Sequence, residues 1–198
     1  MSRSNLAIFI LTLLGGVLAF FAFENKYSRQ GFAQVDVLYH GSPDANIKIF
    51  EPKEEHIRNN NEGAVVFATP SLRLASCYLF RWDDSWVHQS ISWKDGNKAD
   101  YQVTMVISDK ERLEKEDHGG AIYILPIQGF SFDESSGLGV YEWTSKDAAT
   151  PITHINFVSS LDAMQKLGVH VYFVEPSEFK HYLSLRGAEQ EKFLLRLK

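Results

Sequence analysis

The sequence predicts an α+β domain behind an apolar N-terminal segment. Three observations carry this. Short alternating or apolar runs bounded by turn residues recur from residue 35 onward, as strands do. Few long helical patterns separate them, which argues against a doubly wound parallel sheet. Leu6 to Phe23 forms an 18-residue stretch without a charge.

That stretch is taken first. At a helical rise of about 1.5 Å per residue it spans roughly 27 Å, close to a bilayer's hydrocarbon thickness. A cleaved signal peptide has a shorter apolar region ending in small residues, whereas this one ends in Ala19-Phe20-Phe21-Ala22-Phe23. The expectation is therefore a transmembrane helix that anchors the chain in a lipid bilayer through Leu6 to Phe23, giving a single-pass membrane location. Arg3 on one flank and Lys26 and Arg29 on the other nearly balance, so the side of the globular part stays undetermined. Residues 1–33 are anchor and tether, and residues 34–198 are one globular domain.

Within that domain, Val35 to Tyr39 partly alternates and is expected to break at Gly41-Ser42-Pro43. Ala64 to Ala68 is an apolar strand, followed by a helix for which Thr69 is the expected cap and Pro70 the first residue. Trp86 to Trp93 and Tyr101 to Ser108 form a hairpin around Lys94-Asp95-Gly96-Asn97. Lys110 to Glu116 is a charged helix, and Ala121 to Leu125, Gly139 to Thr144 and Ile152 to Phe157 are strands. Ser160 to Leu167 is a helix stopped by Gly168, Val169 to Val174 is a strand stopped by Pro176, and the last twenty residues are helical.

Composition bounds the function. A hydrophobic fraction of 44% supplies a core, and a formal charge of −5 argues against binding nucleic acid through its phosphates. The single cysteine, Cys77, excludes an internal disulfide and a cysteine-based zinc site, and it reads as a small buried apolar residue. Histidines 154 and 170 fall in neighbouring predicted strands, but no His-x-x-x-His spacing occurs, so no metal site is expected. Neither a phosphate-binding glycine loop nor a Gly-x-Ser-x-Gly elbow is present.

What remains is an ordered set: Tyr39-His40-Gly41-Ser42 at a strand end, Phe67 on the next strand, Tyr78 eleven positions later, and Glu142 in Tyr141-Glu142-Trp143. This order resembles the histidine–aromatic–glutamate pattern of the ADP-ribosyltransferase fold, the group that includes diphtheria toxin and the poly-ADP-ribose polymerases. The resemblance implies a split β-sheet domain that takes NAD as substrate and transfers ADP-ribose to an unidentified acceptor. It implies that His40 hydrogen-bonds a ribose hydroxyl, that Gly41 offers its backbone to the nicotinamide amide, and that Ser42 supports the same pocket. Phe67 and Tyr78 would clamp the nicotinamide ring, Phe67 replacing the family's tyrosine and losing its hydroxyl. Glu142 would be the catalytic carboxylate, holding the 2′-hydroxyl and opposing positive charge developing on the sugar. Val140, two positions before Glu142, departs from the arginine-directed transferases and leaves the acceptor open.

Read singly, each residue has a plainer meaning: a satisfied strand-end histidine, two core aromatics, a solvent-facing glutamate. Two further readings therefore stand beside the first. One is a non-catalytic nucleotide-binding or structural module. The other is an NAD-dependent RNA 2′-phosphotransferase-like enzyme, which would need Arg73 and Arg81 to grip phosphate.

Overall fold

A computed structural model describes residues 36–54, 63–94, 97–132 and 141–197. These form nine strands and five helices: β1 (Val37–Ser42), β2 (Val66–Ala68), α1 (Leu72–Ser76), β3 (Val87–Lys94), β4 (Asn97–Ile107), α2 (Lys110–Glu116), β5 (Gly120–Pro126), β6 (Ser131–Phe132), β7 (Trp143–Ser145), β8 (Thr153–Phe157), α3 (Ser160–Lys166), β9 (His170–Phe173), α4 (Pro176–Ser184) and α5 (Ala188–Leu195). The fold is α+β, with antiparallel and mixed sheets.

The strands make three sheets of three: β1-β5-β8, β2-β7-β6 and β3-β4-β9. Among the described strands only β4 and β9 pair in parallel. The first two sheets meet at one bridge, where Tyr39 and Thr69 exchange backbone hydrogen bonds of 2.7 and 2.9 Å. Both faces of β1 are packed, because successive side chains alternate across a strand. Leu38 lies in a cluster with Phe50, Tyr123 and Leu125, and Tyr39 in another with Leu72, Ala75 and Leu79. The largest cluster, including Leu74, Val87, Met105 and Tyr141, fills the space between α1 and the β3–β4 hairpin.

The hairpin follows its local pattern: Val87 pairs with Ile107 and Trp93 with Tyr101, and the register shifts at Trp93/Lys94. Elsewhere tertiary packing moves the boundaries. β1 runs through Gly41 and Ser42 instead of breaking there. A Cβ on Gly41 would lie 1.9 Å from the Ala75 carbonyl oxygen, so this glycine marks a close backbone approach within a strand. The helix after β2 starts two residues later than expected. Ser71 is its cap, accepting from the Leu74 N–H at 2.9 Å, while Thr69 Oγ1 accepts from the Ser71 N–H. Tyr78 accordingly sits in the turn after α1. His154 and His170 fall in separate sheets, not in neighbouring strands.

The expected membrane anchor and membrane location are corrected. Among the described residues no helix is long and apolar enough to cross a membrane. The longest, α4, has nine residues, about 13 Å, under half a bilayer's hydrocarbon core. The transmembrane helix is therefore dropped from the fold class. The segment 6–23 that carried that expectation lies outside the described residues, as does Val140.

Candidate functional site

The site is built where β1 and β2 part. Beyond the Tyr39–Thr69 bridge, His40 Nδ1 donates to the Phe67 carbonyl oxygen at 2.6 Å, so a side chain replaces the next rung of backbone pairing. A carbonyl can only accept, so this bond places the proton on Nδ1 and leaves Nε2 of the neutral ring as an acceptor. Burial holds the His40 pKa below its ordinary 6.5, with the Lys53 charge adding to this and the Phe67 bond opposing it. The ring stands 4.4 Å from that of Phe50, which meets Tyr123 edge-on at 5.0 Å. Tyr123 is also His40's cross-strand partner.

Gly41 lies on the α1 side. Tyr39 aims its N–H and C=O at Thr69, and strand alternation turns those of Gly41 to the same edge of β1. Tyr78 closes over this position, its Cβ 3.3 Å from where a Gly41 Cβ would stand. The Ala75 carbonyl gives Gly41 a packing reason for lacking a side chain, separate from any ligand.

Tyr78 stacks on Trp82, centroids 5.6 Å apart, and its hydroxyl donates to Gln89 Oε1 over a long 3.5 Å. Burial first, then the nearby Cys77, Glu142 and Asp84, pushes its phenol pKa up. Glu142 immediately precedes β7, whose register pairs Ala68 with Trp143. Continued by one residue, that register sets Glu142 opposite Thr69. Glu142 is half-buried and its Oε1 is shielded from solvent.

Of the six residues named from sequence, His40 meets Phe67, Tyr78 packs over Gly41, and Glu142 stands in register opposite Thr69, the residue bridged to Tyr39. Ser42 stands apart in function, since its Oγ accepts from the Asp44 N–H at 3.1 Å and shapes the turn after β1. The ring stacked on Tyr78 is Trp82, a residue the sequence pattern did not flag. Gln89, Phe50 and Lys53 were also missed. For Gln89 a signal existed: it shares a strand face with Val87 and Ile91, both packed in the core, so it is a polar residue at an apolar period.

Arg73 is committed elsewhere. Its Nε donates to the Leu167 carbonyl at 3.0 Å, its Nη1 to the Tyr101 carbonyl at 2.8 Å, and its guanidinium lies 5.2 Å from the Tyr101 ring centre. Cys77 is fully buried, and desolvation pushes its thiol pKa up, away from nucleophilic use. Among the described residues no group of three or more His, Cys, Asp or Glu side chains is placed to hold a metal ion. No protein-family model, curated protein or solved structure matches the chain.

Proposed function

We propose that the chain is an ADP-ribosyltransferase-like protein that uses NAD as substrate and transfers ADP-ribose to an acceptor nucleophile. One observation carries the reading. Residues 40, 67, 78 and 142, far apart in sequence, lie about the parting of β1 and β2: His40 on the Phe67 carbonyl, Tyr78 over Gly41, and Glu142 in register opposite Thr69.

The chemistry needs what these groups offer. The bond between nicotinamide and the ribose breaks with its electron pair leaving on nicotinamide. The acceptor's lone pair forms the new bond to the same carbon, and the acceptor loses a proton. Glu142 would hold a ribose hydroxyl and oppose the positive charge on the sugar, in surroundings where water screens it little. Neutral His40, with its proton held on Nδ1 by Phe67, would accept a hydroxyl proton at Nε2. The edge of β1 at Gly41 offers a donor and an acceptor suited to a carboxamide. Tyr78 supplies an aromatic wall already braced by Trp82.

The phosphotransferase reading loses support because Arg73 is spent on two carbonyls and a ring. Glu142→Ala tests the proposal through NAD consumption and nicotinamide release by the full chain. The expected result is loss of turnover with unfolding behaviour retained. Equal NAD consumption by both proteins would overturn the catalytic role.

A further inference from the structure

The first sheet ends at a strand with one open side. Its order is β1-β5-β8, β1 is bridged on its far side to β2, and among the described residues no strand pairs with the outer edge of β8. Strand alternation shows which backbone groups stand there. Tyr39 turns its N–H and C=O to Thr69, so His40 turns its own to Tyr123 on β5. Tyr123 is then spent on β1, and Ile122 and Ile124 face Ile155 and Thr153 on β8. That leaves the N–H and C=O of His154 and Asn156 aimed outward. Sheet edges are usually blunted by charge, proline, a bulge or a covering segment. Thr153 to Val158 carries no Asp, Glu, Lys, Arg, Pro or Gly, and β8 meets β5 in unbroken register. Helix α3 packs inward, where Ala163 and Leu167 join Leu72, Ala75 and Ile122. At the two ends of the strand stand exposed apolar side chains, Ile152 at 62% and Val158 at 92%.

This edge is complementary to itself. Laid antiparallel on a second copy with a two-fold axis at Ile155, His154 of each chain faces Asn156 of the other. Those are the residues whose backbone groups point outward, so they form the hydrogen-bonded pairs. Ile155 meets its own counterpart in the closer, non-hydrogen-bonded position, and Thr153 meets Phe157. One step further, the exposed Ile152 meets Val158. Polar thus faces polar at His154 and Asn156, apolar or β-branched side chains face one another elsewhere, and no ionic charges oppose each other. Moving the axis to His154 would set Ile152 against Asn156, and moving it to Asn156 would set His154 against Val158. We propose that the chain forms a two-fold dimer through β8, joining two three-stranded sheets into one of six strands. The partner is a second copy of this chain, because one register satisfies both the outward backbone groups and the side chains.

Sedimentation equilibrium and cysteine cross-linking of the full chain test it. Wild type should shift from 22.5 kDa toward twice that mass as concentration rises. Asn156→Pro removes an N–H that points away from β5, so the fold should persist. Dimer affinity should fall at least about tenfold, since two hydrogen bonds are lost per dimer. Under mild copper-catalysed oxidation Ile155→Cys should give a covalent dimer, because non-hydrogen-bonded partners bring their Cα atoms to about 4.5 Å, within disulfide reach. Thr153→Cys should not, because four residues of offset hold its two Cα atoms about 14 Å apart. Cys77 is fully buried and does not compete. A single 22.5 kDa species up to about 0.5 mM chain would overturn the proposal. So would association that Asn156→Pro leaves unchanged, which would lie on another surface, and equal cross-linking at the two positions, which would report collision. If Asn156→Pro does not fold, selective cross-linking of Ile155→Cys upholds the proposal and its absence overturns it.

Discussion

Gly41→Ala places a methyl group where the Ala75 carbonyl already is. The added Cβ would stand 1.9 Å from that oxygen and 2.9 Å from its carbon, whereas real Cβ atoms essentially never come within 3.0 Å. Relief therefore demands about 1.1 Å of separation (3.0 − 1.9) between the backbones of β1 and α1. No side chain can rotate away, because the obstacle is main chain. The contact that must open includes Tyr39, Leu72, Ala75 and Leu79, each at most 5% exposed. Overpacking a tight core costs roughly 1–3 kcal/mol, and a main-chain obstacle puts this case near 3, about a hundredfold in the folding equilibrium. Urea unfolding followed by tryptophan fluorescence measures it, with the slope checked for constancy. A second variant sharpens the test: Ala75→Gly in the Gly41→Ala background should not restore stability, since the obstruction is a carbonyl and not a methyl. A Gly41→Ala midpoint within about 0.5 kcal/mol of wild type would refute the packing account.

Two further perturbations probe the frame of the site. Arg73→Met should cost about 2–3 kcal/mol, because the Leu167 and Tyr101 carbonyls lose a charged donor. Arg73→Lys should recover little, since an ammonium lacks the planar fork that reaches both. Denaturant midpoints check this, and a cost under about 0.5 kcal/mol for Arg73→Met would contradict the assignment. Acid should weaken the fold early. The pKa values of His40 and His88 lie below the ordinary 6.5 when folded, mainly through burial, so the unfolded chain binds more protons. Stability is then complete above about pH 6.5 and falls as pH drops through that value toward the folded pKa values. Unfolding midpoints at pH 7.5 and 5.5 should show the loss, smaller in His40→Asn; a midpoint that holds or rises toward pH 5.5 would oppose it.

Local features were legible. The β3–β4 hairpin follows from alternation and a turn, and the Ser159-capped helix α3 ends at Gly168, whose φ is +82°. Features that depend on a distant partner were misread. Thr69-Pro70 has the composition of a helix start, but Thr69 is held in a bridge to Tyr39, and the cap passes to Ser71. Gly41 has the look of a strand end, and only the Ala75 carbonyl explains why a strand continues through it. The apolar run at 6–23 matched a membrane span by length and hydropathy, and it lies outside the described residues.

Of the site, the sequence alone determined the residue types and their order: an imidazole, two aromatic rings and a carboxylate on successive elements. Covalent order and local periodicity are properties of the chain itself. Only the tertiary structure decided that the Phe67 carbonyl accepts a hydrogen bond from His40, that Trp82 braces Tyr78, and that the Tyr78 hydroxyl reaches Gln89. These depend on which strands pair and in what register, and register is set by burial summed over the whole domain.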